Sequence, residues 1–71
     1  MAVGLTFRVG TMAKMIGVTD VHMTRTIDKY IPHHWDQRGR YVTRSDFATF
    51  LKAHGIWDSI PAVCRYLWGL Q

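Results

Sequence analysis

The chain has 71 residues, of which 48% are hydrophobic and 20% are charged, so it suits one small globular domain and is too apolar to be disordered. Nine Lys and Arg residues against five Asp and no Glu give a net charge of +4, which favours a polyanionic partner, nucleic acid first and an anionic membrane surface second. A single cysteine, Cys64, excludes an internal disulfide and suits a reducing compartment.

No apolar run approaches the ~20 residues that a membrane-spanning helix needs. The first residues also lack the basic, apolar and small-residue pattern of a signal peptide. The sequence therefore predicts a cytoplasmic protein.

The first segment, residues 1–8, is predicted to be an extended lead-in or a short edge strand. Apolar residues alternate along it and just beyond it, as they do in a half-buried strand; they are Val3, Leu5, Phe7 and Val9. A first helix of about two turns follows, with Thr11 at its N-cap and Gly17 at its C-terminal end.

A second helix is predicted to begin at Thr19 or Asp20 and to end before Pro32. Its apolar stripe comprises Met23, Ile27 and either Tyr30 or Ile31. Two short helices joined by a glycine-containing turn have the layout of a helix-turn-helix.

The outward face of the second helix is predicted to carry its polar side chains, which are Asp20, His22, Thr24, Arg25, Asp28 and Lys29. Arg25 is the best candidate for a bidentate contact with guanine, and His22 or Thr24 adds a base-edge or phosphate contact. Lys14 and Lys29 are candidates for phosphate contacts. Asp28 either pairs with Arg25 or Lys29 or accepts a hydrogen bond from a cytosine amino group.

A β-hairpin is predicted after Pro32, because Trp35 and Tyr41 flank a polar turn that contains Gly39. Arg38 and Arg40 lie on this turn, where guanidinium groups can bind phosphates bidentately or enter a narrow minor groove. Glycine between them lets the chain turn tightly and approach a duplex closely. The alternative is a solvated hairpin tip without a ligand.

The third helix is predicted to be capped by Thr43 or Ser45 and to stop at Gly55. Its predicted buried face comprises Phe47, Phe50 and Leu51, with His54 as a further candidate, and Trp35 is expected in the same core. The adjacent His33 and His34 have no third residue spaced to complete a metal site, so no metal is expected.

A C-terminal helix is predicted within residues 57–70, capped by Asp58 or Ser59, with Pro61 near its first position. Four residues fit its interior face, namely Trp57, Ile60, Cys64 and Leu67. Three others are then available to a neighbouring protomer, namely Tyr66, Trp68 and Leu70. The alternative is that all of these complete the core of one monomer.

Two stretches, TMAKMIGVTDVHMTRTIDKYIP and RGRYVTRSDFATFL, resemble the MerR-like winged-helix pattern of phage excisionases over roughly residues 9–52. In that family a helix ends at Gly-Val, a Ser/Thr-capped recognition helix ends at a proline, a Gly-Arg wing follows, and a helix opens with Arg-x-Asp. The tail RYLWGL resembles the C-terminal helix of Cox-type proteins of temperate phages, which act as excisionase and transcriptional repressor.

The resemblance implies a mainly α fold with a small β-hairpin, a winged helix-turn-helix in the order helix-helix-wing-helix-helix, as one domain over residues 1–71. It implies cooperative, sequence-specific binding of double-stranded DNA at repeated attachment or operator sites, with DNA bending, self-association and an integrase partner in a bacterial cytoplasm. Together with the residue patterns, it predicts three groups of DNA-contacting residues. The recognition helix contributes Asp20, Val21, His22, Thr24, Arg25 and Lys29. The wing contributes Arg38, Gly39, Arg40 and Arg44, and further phosphate contacts come from Lys14 and Thr19.

Catalysis is not expected, because five scattered Asp residues without a Glu offer no paired acid and base, and no cofactor is implied. Two other classes of protein remain open. One is a small basic adaptor that docks on an acidic protein, such as an inhibitor of a host enzyme. The other is a DNA-packaging component that resembles a small terminase subunit.

Overall fold

Strand β1 (Thr6–Arg8) opens the part of the chain that the computed structural model describes, residues 6–70. It confirms the edge strand predicted for the lead-in, while Val3 and Leu5 of the alternating pattern lie outside the described residues. Helix α1 (Val9–Ile16) follows without a connecting loop. Thr11 therefore lies within α1 and is not its N-cap, because strand pairing holds Arg8 in an extended conformation and the helix begins at the next residue.

Helix α1 ends where the sequence predicts, at Gly17, whose φ of +74° is a conformation that glycine adopts without steric cost. Helix α2 (Asp20–Tyr30) then begins. The Thr19 hydroxyl caps it by accepting a hydrogen bond from the backbone N–H of His22 at 3.1 Å. Ile31, and not the half-exposed Tyr30, completes the buried stripe.

The hairpin is confirmed as strands β2 (His34–Asp36) and β3 (Gly39–Thr43). Strand β3 is central in an antiparallel sheet of order β1-β3-β2, so Phe7 pairs with Val42 on one side and Trp35 pairs with Arg40 on the other. Gly39 has a φ of +112°, which supplies the turn conformation that other residues rarely adopt.

Helix α3 (Arg44–Ala53) is capped by Thr43, whose hydroxyl accepts a hydrogen bond from the N–H of Asp46 at 3.2 Å, and not by Ser45. Phe47 lies at the centre of the core and meets Phe7 edge-to-face, with ring centroids 5.4 Å apart. The buried apolar residues of the described chain are Phe7, Met12, Ala13, Met23, Ile27, Ile31, Val42, Phe47, Ala48, Phe50, Leu51, Ile60 and Leu70. His54 is exposed at the end of this helix.

The last helix of the C-terminal segment begins at a different place from the one predicted. Asp58 and Ser59 do not cap the last helix, because they belong to a short 3-10 helix (Trp57–Ser59) in which the Ser59 hydroxyl donates to the Ile56 carbonyl at 2.6 Å. Helix α4 (Ala62–Leu67) begins after Pro61 without a side-chain cap.

The buried side of the C-terminal segment is also different. Leu67, predicted to be interior, is 73% exposed, whereas Leu70, predicted to be available to a neighbour, is only 5% exposed. The reason is Gly69, whose φ of +72° reverses the chain so that the Leu70 N–H donates to the Arg65 carbonyl at 2.9 Å and its side chain enters the core. Trp68 packs against the same core, so of the three predicted contact residues only Tyr66 remains open.

These elements form a small, mainly helical domain with a three-stranded antiparallel sheet. Within residues 6–70, no helix has both the length and the apolar character needed to cross a membrane.

Candidate nucleic-acid interface

The outward face of α2 is defined by what the helix buries. Met23 and Ile27 are fully buried, so the opposite side of the helix faces away from the core. Val21, Arg25 and Asp28 lie on that opposite side in a single line, because they are spaced four and then three residues apart. Val21 is 62% exposed. The flanking positions are occupied by His22, Thr24 and Lys29.

Arg25 is exposed on this line, and within residues 6–70 no hydrogen bond or ion pair engages its guanidinium. The same holds for the exposed ammonium of Lys14 on α1. Lys29 lies over the ring of Tyr30, with its Nζ atom 5.3 Å from the ring centroid. Arg25 and Lys14 are thus cations that an incoming anion can approach directly.

Asp28 has a different partner from the one predicted. Its carboxylate does not pair with Arg25 or Lys29 but binds Arg40 of β3 bidentately, with Nε to Oδ1 at 2.6 Å and Nη2 to Oδ2 at 2.9 Å. The reason is strand alternation, because Arg40 shares the sheet face of the buried Val42 and so extends toward α2. The hydrogen bonds from Arg40 lower the pKa of Asp28.

Trp35 is 61% exposed, and its predicted place in the core is wrong. It lies on the edge strand β2, which has a neighbouring strand on one side only, and all three residues of β2 are exposed. The ring packs instead under Arg40, whose Cζ lies 4.3 Å from the ring centroid. Arg40 is therefore held by a carboxylate from α2 and by an aromatic face from β2.

The turn itself carries one cation whose guanidinium makes no hydrogen bond within residues 6–70, although its charge acts on the nearby Asp36 carboxylate. Arg38 is exposed, and among the described residues no hydrogen bond or ion pair engages its side chain, while its backbone N–H donates to Asp36 at 2.8 Å. Asp36 also binds Arg8 of β1 bidentately, with Nη1 to Oδ1 at 2.7 Å. The hydrogen bond from Arg8, aided by the Arg38 N–H, lowers the pKa of Asp36 to about 2. Arg8 thus fixes the base of the turn, and Arg38 is exposed within the turn.

Arg44, the fourth residue assigned to this region, lies against the C-terminal segment. A Cβ atom added at Gly69 would lie 2.1 Å from Arg44 Nη1, so the guanidinium occupies the space that the absent side chain leaves. Together with Ser45 and Ala48 these residues line a cavity of about 370 Å³. Arg44 is therefore placed beside the end of α4, whereas Arg40 is placed beside α2.

Comparisons of the chain with models of protein families, with curated proteins and with solved structures found no match. We therefore infer what the site can bind from the positions of its own side chains. The Asp28–Arg40 pair joins α2 to the hairpin, Arg25 lies one helical turn before Asp28, and Arg38 lies two residues before Arg40. Two unengaged guanidinium groups are thus carried by two elements that contact each other.

His33 lies beside this pair and contacts both Asp28 and the backbone. His33 Nδ1 lies 2.9 Å from the Ile31 carbonyl, and its Nε2 lies 3.5 Å from Asp28 Oδ1. In the part of the chain that the structure describes, no group of three or more His, Cys, Asp or Glu side chains is arranged to hold a metal ion.

A second exposed surface lies on α4 and was not predicted as such. Val63, Tyr66 and Leu67 are 63%, 82% and 73% exposed, and they form one apolar face because Tyr66 and Leu67 lie three and four residues after Val63. The Gly69-Leu70 pair was the sequence signal that could have revealed it. A glycine followed by an apolar residue is typical of a helix C-terminus where the chain folds back, which buries Leu70 and leaves the other side of the helix open.

Proposed function

We propose that the chain is a sequence-specific double-stranded DNA-binding protein of the winged helix-turn-helix type. In this proposal α2 is the recognition helix in the major groove and the β2–β3 hairpin is the wing against the backbone. The observation that carries it is the pair of unengaged guanidinium groups, Arg25 and Arg38, on two elements joined through Asp28 and Arg40. The net charge of +4 supports a polyanionic ligand.

The residues of α2 take roles that follow from their chemistry. Arg25 reads guanine bidentately, and the exposed Val21 contacts a thymine methyl group. His22 and Thr24 contact base edges or phosphates, and Lys29 and Lys14 contact phosphates. Since the Thr19 hydroxyl already caps α2, it approaches DNA only as part of that cap.

The resemblance to phage excisionases supports a role in excisive recombination, in transcriptional repression, or in both. A domain this small covers about one turn of DNA, so useful affinity requires several copies side by side on repeated sites. The exposed face of Val63, Tyr66 and Leu67 replaces Trp68 and Leu70 as the surface through which neighbouring copies touch. In this proposal the protein also bends the DNA and acts together with an integrase.

The test is a titration of fluorescent duplexes at two salt concentrations. One duplex is selected from a randomised pool by the wild-type protein, and the other is its scrambled counterpart. Arg38→Ala is expected to weaken binding to both and to reduce the slope of log affinity against log salt by about 0.9, the value for one phosphate contact. Arg25→Ala is expected also to reduce the preference for the selected duplex, by about 1–3 kcal/mol.

Gln37→Ala is the matched control, since Gln37 shares the exposed turn with Arg38 but carries no charge. It should leave both the affinity and the salt slope unchanged. An unchanged slope in Arg38→Ala, or an unchanged preference in Arg25→Ala, would contradict the roles assigned to these residues.

A protein-binding adaptor is the second candidate, and the apolar face of α4 favours it. Binding there would be driven by Val63, Tyr66 and Leu67 and would not need the free arginines. The same titration separates the two functions, because an adaptor would bind neither duplex at physiological salt.

A further inference from the structure

Asp28 occupies a position that is unfavourable for a protein that binds phosphates. It lies in line with Val21 and Arg25 on the outward face of α2, and its side chain is 46% exposed. A free carboxylate there would repel the DNA backbone. Its charge is balanced by Arg40, which binds both carboxylate oxygens.

Arg40 is held more firmly than a surface arginine usually is. Its Nε and Nη2 atoms bind Asp28, one face of its guanidinium covers the Trp35 ring at 4.3 Å, and its side chain is only 24% exposed. Binding a phosphate through the same edge would require Arg40 to leave Asp28. That exchange would replace two charge-assisted hydrogen bonds with two others and expose an unpaired carboxylate to the DNA, so it offers little net gain.

We propose that the Asp28–Arg40 pair is a strut that sets the position of the hairpin relative to α2. Both residues are positioning residues, Arg40 is not a phosphate ligand, and the phosphate contact of the hairpin belongs to Arg38. This inference rests on the proposed function, and it corrects the expectation that Arg38 and Arg40 contact DNA in the same way.

The strut has a specific consequence for recognition. A selected site engages α2 and the hairpin together, so its binding depends on the distance and angle between them. A random duplex is held mainly by phosphate contacts and tolerates a change in that geometry. Loss of the strut therefore weakens binding to the selected site more than binding to random DNA.

The test uses the double variant Asp28→Asn/Arg40→Gln, which removes one charge of each sign and keeps the net charge. Arg38→Gln is the comparison, since it removes one exposed positive charge. Both are titrated against the selected duplex and its scrambled counterpart over a range of salt concentrations, and folding is checked by circular dichroism.

The double variant is expected to keep the wild-type salt slope and to lose preference for the selected duplex by at least about threefold, which is modest for coupled contacting residues. Arg38→Gln is expected to lower the slope by about 0.9 and to keep the preference. A slope in the double variant that falls as far as in Arg38→Gln would overturn the strut, and so would an unchanged preference.

If the double variant does not fold, the Arg40→Lys variant tests the strut by the same salt titrations on the same two duplexes. Lysine keeps the charge but cannot bind a carboxylate with a planar fork, so the strut predicts lost preference at an unchanged slope. Retained preference would show that charge alone is needed and would overturn the strut. A wild-type protein that does not distinguish the two duplexes would instead refute the proposed function itself.

Discussion

Replacing Leu70 and Leu67 separately by alanine tests the packing of the C-terminal segment, because the two variants remove the same side-chain atoms from two different positions. Leu70 is 5% exposed and Leu67 is 73% exposed, although both are leucines three residues apart. Truncating a core leucine to alanine lowers the free energy of unfolding by about 2–5 kcal/mol. Leu70 keeps 5% exposure and so lies at the margin of the core, and we therefore expect a loss of about 2 kcal/mol, the lower end of that range.

Such a loss is large for this protein. A domain of 71 residues has a total free energy of unfolding of about 4–11 kcal/mol. At this size about 2 kcal/mol corresponds to a fall in Tm of about 8–16 °C. Leu67→Ala should change the free energy of unfolding by no more than about 0.5 kcal/mol.

Thermal and denaturant unfolding followed by far-UV circular dichroism measures both values, at a protein concentration low enough to keep the chain monomeric. Equal losses in the two variants would refute the assignment of Leu70 to the core and of Leu67 to the surface. A larger loss in Leu67→Ala would restore the arrangement that the sequence pattern alone predicts.

Two further predictions concern the sheet and the surface of α4. Because Arg8 holds the pKa of Asp36 at about 2, below its unfolded value of about 3.9, the stabilisation from this pair is complete above about pH 4 and is lost as the pH falls through about 2. Asp36→Asn should therefore lower Tm at neutral pH, with a difference from wild type that shrinks in acid; parallel Tm profiles would contradict this. Val63→Asp should reduce self-association in sedimentation experiments without changing the monomer's Tm, and an unchanged association constant would remove α4 from the contact between copies.

The elements that the sequence predicted correctly are specified by neighbouring residues. Thr19 accepts a hydrogen bond from an N–H three residues ahead, and Gly17 and Gly39 supply backbone conformations that depend on their own lack of a side chain. These signals are local, so reading along the chain finds them. Thr11 failed as a cap because pairing with β3, more than thirty residues away, decides where α1 begins.

The candidate site was harder to predict because its contacts join separate elements. The charges of Asp28 and Arg40 are evident in the sequence, but their pairing depends on the register of β3, which places Arg40 on the sheet face beside α2. Nearby alternatives on the same helix, Arg25 and Lys29, look equally suitable when only spacing is considered. Arg25 was correctly placed on the outward face, since the buried stripe of α2 fixes that side.

The order of strands has a consequence for how the protein is made. Strand β1 is the first described element to leave the ribosome, yet its partner is β3, so Phe7 cannot be covered by Val42 until more than half of the chain exists. Contacts between residues this distant slow folding relative to a chain of locally packed helices. Phe7 therefore lacks its partner strand for as long as the two helices and the strand between β1 and β3 are being synthesised.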